Sequence, residues 1–243
     1  YFVKVIGRGY VTPTNKFRWC TDRLRINPIK RLLKERTIDD YTVLLGTRLG
    51  ESLERDRTLV RHGTGSRYHF RQESNRNATI YSPIIDYSVQ DVWATLTGLH
   101  QLRCVKADEL KSIYRSASGE CPTVRDPKGT PCGKGRFGCW TCTVVRQDKA
   151  VTGLVADGYG ELQPLLSFRN WLTEIRDDPD FRCNWRRNGC KGVGPFTLSA
   201  RKMILRRLLQ TEKSVPWKLI TRPEIRSIHA LWKEDRSSPT YRE

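Results

Sequence analysis

The chain has 243 residues, with 44 Lys+Arg against 26 Asp+Glu and a formal net charge of +18. Hydrophobic residues at 37% and aromatics at 9% are enough to build a core, which excludes wholesale disorder. No apolar run approaches the roughly 18 residues of a membrane helix and no secretory signal opens the sequence, so the expectation is a cytoplasmic protein with no membrane partner.

In chain order, Val3–Ile6 and Thr42–Leu45 are short aliphatic or β-branched runs ending at glycines, and both read as buried strands of an α/β sheet. Between them, 27–36 reads as a helix, with Pro28 in its first turn and Ile29, Leu32 and Leu33 on one face. The polar, Arg/Gly/Ser/Asn-rich stretch 56–78 suggests a mobile connection. Thr79–Ile85 resembles a further strand, and Ser88-Val-Gln-Asp91 is a capping box opening a helix through Val92, Trp93 and Leu96. From 119 to 138 the chain is too rich in Gly, Pro and Cys for regular structure. Beyond it the pattern is helical. Leu198–Thr211 carries an apolar face, and Thr221-Arg-Pro-Glu224 is a second capping box before Ile225, Ile228, Leu231 and Trp232. The expected organisation is an α/β part over 1–118, a Cys-rich loop over 119–150 and a mainly helical region over 151–243.

The basic excess is spread along the chain, 17 against 10 acidic residues in 1–100, 10 against 5 in 101–150 and 17 against 11 in 151–243. A globular body of this sign attracts polyanions, with nucleic acid first and nucleotides second. No zinc finger of the two-Cys, two-His type and no basic zipper is present, so the charge points to phosphates and not to base readout. Arg201, Lys202, Arg206 and Arg207 are candidates for such a surface, with core packing the plainer reading of their helix.

Cys121, Cys132, Cys139 and Cys142 are spaced C-x10-C-x6-C-x2-C. The C-x2-C end brings two thiolates to one centre, and the flexible loop lets two more close around it. Four thiolates suit a structural zinc or a [4Fe-4S] cluster, and disulfides are a third option that the absence of a signal peptide disfavours. The lack of paired knuckles favours the cluster over zinc. So do Phe137 and Trp140, whose aromatic bulk flanks the C-x2-C and would exclude water. Cys20 lies among Lys16, Arg18 and Arg23, an environment for a reactive thiol, although a buried structural cysteine fits as well. Cys104 reads as a core residue, and Cys183 and Cys190 read as an incidental or a second metal-binding pair.

Gly46-Thr-Arg48-Leu-Gly-Glu51-Ser52-Leu-Glu-Arg55 follows an expected strand and enters a helix, the place where phosphates bind in open α/β sheets. Arg48 and Arg55 could clamp an anion there and Ser52 could donate to it. The sequence holds no G-x-G-x-x-G fingerprint and no Walker A loop. Its four histidines show neither metal nor triad spacing.

Several of these segments together resemble the phosphoadenosine-phosphosulfate (PAPS) reductase-like family of adenine nucleotide alpha hydrolases. Phe17-Arg-Trp-Cys-Thr-Asp-Arg-Leu-Arg-Ile-Asn-Pro28 is similar to its Arg-Trp-Cys-Thr segment, Gly46–Arg55 to its G-x-R-x-x-E-S-x-x-R element, and Tyr81–Trp93 to its entry into a helix. Glu120-Cys-Pro-Thr-Val124, with Cys132-Gly-Lys-Gly-Arg-Phe-Gly-Cys-Trp-Thr-Cys142, resembles the DndC-type sulfurtransferases of DNA phosphorothioation. Gly194–Lys202 fits the same group.

The resemblance implies an α/β fold with an open, mostly parallel sheet flanked by helices. It implies ATP-dependent adenylation of a DNA phosphate and replacement of a non-bridging oxygen by sulfur. The sulfur would come from a cysteine desulfurase, and other phosphorothioation proteins of DndD and DndE type would be partners. Carried over, Cys121, Cys132, Cys139 and Cys142 hold a [4Fe-4S] cluster, and Arg48, Glu51, Ser52 and Arg55 line the site for ATP. Arg18 and Cys20 stand beside that site, with Cys20 a candidate sulfur carrier. The family's S-G-G-K-D-S loop is not found in 1–243; the expectation is that the chain begins downstream of it, the alternative being that this copy does not use ATP as the family does. Two alternatives remain: a PAPS or adenylyl-sulfate reductase-like enzyme on a small sulfonucleotide, and a zinc-stabilised DNA-binding module.

Overall fold

The structure is a computed structural model that describes residues 1–36, 41–50, 53–63, 66–71, 78–98, 106–118 and 137–237. Among these residues it combines helices with one small sheet, and it divides into two compact units, 1–28 with 137–243, and 29–136. The first 28 residues thus belong with the C-terminal region and not with the α/β part in which they were expected.

The chain enters through a helical turn, Val3–Gly7, with the wide hydrogen bonding of a π-helix. A strand was expected here. A short aliphatic run has no periodicity to separate strand from helix, and its surroundings decided: Val5 and Ile6 are wholly buried against the two last helices of the chain. The short helix α1 (Trp19–Thr21) continues through a second π-type segment, Asp22–Ile26, into α2 (Asn27–Glu35). The expected helix is therefore present and longer at its N-terminal side. Its apolar stripe is not covered, however, since Ile29 and Leu32 are exposed.

The described residues of unit 29–136 include a three-stranded sheet: β1 (Tyr41–Leu44), β2 (His69–Arg71) and β3 (Ala78–Tyr81), in the order β1-β3-β2. β1 runs parallel to β3, pairing Tyr41 with Ala78 through to Leu44 with Tyr81. β2 is antiparallel to β3, with Phe70 opposite Ile80. α3 (Leu53–Arg61) lies between β1 and β2, so two regular elements occupy the stretch 56–78 that was expected to be a loose connection. Its many arginines and polar residues masked them, because α3 needs little apolar surface on an exposed face.

The capping box at Ser88 is made reciprocally: the Ser88 amide donates to Asp91 Oδ2 (2.7 Å) and the Asp91 amide to Ser88 Oγ (3.1 Å). These bonds to Ser88 hold the Asp91 carboxyl below its ordinary range. The box opens α4 (Val89–Gly98), which buries Trp93 and packs on α5 (Ala107–Ser118).

In the other unit, α6 (Lys149–Ala156) is capped by Asp148, which accepts from the Val151 amide at 3.1 Å. It ends at Gly158, whose φ of +102° lets the Tyr159 amide return to the Leu154 carbonyl at 3.0 Å. α7 (Gln163–Asp177) starts with Pro164 in its first turn, and α8 (Leu198–Lys213) is capped by Thr197. The second capping box opens α9 (Arg222–Ser237), with the Thr221 amide donating to Glu224 Oε2 at 2.9 Å. Phe2, Val5, Ile6 and Trp19 pack with Phe168, Leu172, Phe196, Ile204, Leu208 and Ile228 into one core.

Two charged groups tie this core together. Arg201 is fully buried and donates to the Gly7 carbonyl (2.6 Å) and to Asp235 Oδ2 (2.7 Å), joining α8, the first turn and α9. Asp235→Ala leaves a buried guanidinium uncompensated and should cost about 3–5 kcal/mol, read as a lowered urea midpoint. Glu212 responds to pH. Its partial burial raises its pKa, but Lys218 and the amides of Ile220 and Leu219 outweigh this and hold the carboxyl below its ordinary value. A depressed carboxyl stabilises the fold above its unfolded pKa, and the contribution is lost as pH falls through the folded one. Glu212→Gln should therefore reduce stability at pH 7 and flatten its decline in acid, measured by urea titrations from pH 7 to pH 3.

Candidate metal and anion site

Of the four loop cysteines, Cys121 and Cys132 lie outside the described residues, as do Glu51 and Ser52 and the side chain of Arg55. Cys139 and Cys142 are placed. They flank a tight turn in which the Cys142 amide donates to the Cys139 carbonyl at 2.8 Å, so both thiols project from one short loop. Cys139 is exposed and Cys142 half-buried. Trp140 turns into the core, with its ring 5.9 Å from Phe2 and 5.8 Å from Phe168. Phe137 does not provide the expected shield, since it is 44% exposed. Among the described residues no three His, Cys, Asp or Glu side chains are grouped to hold a metal ion.

The chain that follows Cys142 has no regular structure of its own, and arginines of α7 supply its hydrogen bonds. Arg169, 1% exposed, donates from Nε to the Cys142 carbonyl (2.8 Å) and from Nη1 to the Arg146 carbonyl (3.0 Å), and it also reaches the Val145 carbonyl. Burial pushes its guanidinium pKa down, while the charges of Asp148 and Cys142 oppose that shift. Arg176 donates to the Thr143 carbonyl at 2.7 Å, and Thr143 Oγ1 donates to the Pro13 carbonyl at 2.8 Å. The half of the thiol loop that is described is thus fastened both to α7 and to the N-terminal segment.

Sequence reasoning missed these arginines. A signal was present: Arg169 and Arg176 lie seven residues apart on the stripe of α7 that also carries Leu165, Leu172 and Ile175, where cations are out of place.

Cys20 belongs to the same unit as Cys139 and Cys142. Tyr1 connects them. Its ring stacks on Trp19, the neighbour of Cys20, with centroids 5.7 Å apart, and its hydroxyl donates to the carbonyl of Thr141 at 3.4 Å. Burial raises the Tyr1 phenol above its ordinary value, and the nearby thiols of Cys20, Cys142 and Cys139 add to the rise. Arg18 is at the surface, where it donates to Asn15 Oδ1 at 3.0 Å.

The anion element is in the other unit. Arg48 follows the C-terminal end of β1 and donates to the Tyr87 carbonyl at 3.1 Å, while the Leu49 amide donates to the Ile85 carbonyl at 2.8 Å. The segments leaving the parallel strands β1 and β3 are thereby joined at their carboxyl ends, where open α/β sheets bind ligands. Gly50 has φ of +77°, and its amide donates to the Asp56 carboxylate at 3.1 Å. A phosphate approaching this turn would meet that carboxylate, so the amide is committed to the protein itself. Of the remaining cysteines, Cys104 lies outside the described residues, while Cys183 is buried and Cys190 exposed in the loop before α8.

Comparison with protein-family models finds no match, and neither curated proteins nor solved structures give a significant one. The role of each residue therefore rests on its chemistry and surroundings. Arg169→Met removes three carbonyl partners while keeping an apolar stem. It should raise the rate at which iodoacetamide alkylates Cys142 by about tenfold and lower stability by about 2–4 kcal/mol, measured by peptide mapping and urea unfolding.

Proposed function

We propose that the chain is an ATP-dependent iron–sulfur sulfurtransferase of DndC type, acting in DNA backbone phosphorothioation in the cytoplasm. The observation that carries this reading is the Cys139-x2-Cys142 turn, within a four-cysteine spacing and in a chain of net charge +18. The sequence resemblance joins these two features to one chemistry. The mixed α/β architecture, with a parallel pair of strands, is compatible with a PAPS reductase-like sheet in this reading.

The donor set fits a thiophilic group. Two thiols stand on one turn, and Arg169 and Arg176 fix the backbone behind them without placing a carboxylate there. In this reading Cys121, Cys132, Cys139 and Cys142 hold a [4Fe-4S] cluster, which would supply a sulfur-rich centre for handling sulfur. Trp140, by packing inward, limits water on the core side of the turn.

ATP and DNA are substrates. A non-bridging oxygen of a DNA phosphate attacks the α-phosphorus of ATP and pyrophosphate leaves; the outer sulfur of a persulfide then attacks the DNA phosphorus, that oxygen departs on AMP, and a thiol reductant cleaves the S–S bond, forming a disulfide and leaving sulfur on phosphorus. Arg48, Glu51, Ser52 and Arg55 would bind and orient the nucleotide, Arg18 would contact phosphate, and Cys20 would carry sulfur from a cysteine desulfurase. DndD- and DndE-type proteins are the expected partners. The basic surface would hold the DNA backbone, and that attraction should weaken with salt.

The test combines protein and DNA. Purified protein should contain iron and acid-labile sulfide, and DNA from cells that express it with its partners should yield phosphorothioate dinucleotides after nuclease digestion. Cys139→Ser should abolish both signals. Zinc without sulfide would favour the DNA-binding module. Phosphorothioate made equally well by Cys139→Ser would overturn the cluster assignment.

A further inference from the structure

Cys20 is distant in sequence from the cysteine loop, and nothing in the spacing of the chain connects the two. The fold does connect them. Tyr1 is half-buried and reaches from the residue before Cys20 to the cysteine turn, its ring against Trp19 and its hydroxyl on the carbonyl of Thr141, the residue between Trp140 and Cys142. A second tether runs in parallel: Trp19 Nε1 donates to the Val11 carbonyl at 2.9 Å, and Pro13, two residues on, accepts from Thr143 Oγ1. Cys20, Tyr1 and Trp140 all pack on the one core.

We propose that Cys20, Cys139 and Cys142 form a single thiol site, and that Tyr1 is the positioning residue that clamps the start of α1 to the C-x2-C turn. Among the described residues no three such side chains are grouped to hold one ion, so in this proposal Cys20 is a neighbour of the Cys139–Cys142 turn and not a third ligand on it. The functional consequence rests on the sulfurtransferase reading: sulfur carried on Cys20 would be presented directly to the Cys139–Cys142 turn.

Dibromobimane, a short thiol-to-thiol cross-linker, tests the clamp on the full chain without its metal, followed by tryptic mass mapping. The wild type should give the peptide Trp19–Arg23 linked to the peptide Phe137–Arg146. Tyr1→Phe keeps the ring but loses the bond to Thr141, and should lower the yield of that product about fivefold. Tyr1→Ala should lower it further, and its thermal midpoint shows whether the variant is folded. Absence of the linked peptides in the wild type, or an unchanged yield in Tyr1→Phe, would overturn the proposal. The outcome is independent of the chemistry on DNA: linked peptides in a protein that makes no phosphorothioate would sink the functional reading and leave the thiol site standing.

Discussion

Buried and half-buried arginines that satisfy backbone carbonyls are the constraint on which the larger unit depends. The segment after Cys142 has no helix or strand to absorb its polar groups, and each buried carbonyl left without a donor would cost roughly 1–3 kcal/mol. Arg169 and Arg176 of α7 meet that demand for 142–146, while Arg182 donates to the Gly194 carbonyl before α8 and Arg201 to that of Gly7. A guanidinium carries five donors in a rigid plane, so one side chain can bracket several carbonyls where lysine could not. An irregular chain can thereby hold a defined thiol turn.

This use of arginine also qualifies the net charge. Arg169 and Arg201 are internal fasteners and add little to a surface field. A face that attracts polyanions would have to come from groups such as Lys202 and Arg206 on α8 and Arg226 and Lys233 on α9, all exposed. Arg207 belongs partly to both classes, because it lies over the Trp171 ring with its guanidinium 4.3 Å from the ring centroid.

The two candidate sites differ in how they are built. The thiol turn sits in a dense aromatic setting of Tyr1, Phe2, Trp19, Trp140 and Phe168, where position is set by close packing. The Arg48 element depends on strand ends joined by backbone hydrogen bonds, with Asp56 engaging the turn amide. A nucleotide at that element would have to draw on side chains more than on the Gly50 amide.

Features that depend on near neighbours in the chain were legible in the sequence. Both capping boxes form as their spacing implies, because Ser88 with Asp91 and Thr221 with Glu224 need only one turn of helix. The pairing of Cys139 with Cys142 is likewise local. Val3–Gly7 was not legible, since three aliphatic residues around Lys4 carry no period and contact with α8 and α9 selected a helix over a strand. The apolar stripe of α2 was legible as a pattern, but its exposure was not. Composition and spacing thus determined the charge, the thiol pair and the helix starts. Only the tertiary structure decided that arginines go inside, and that Tyr1 meets a turn 140 residues away, because those contacts depend on which distant carbonyls and rings folding brings together.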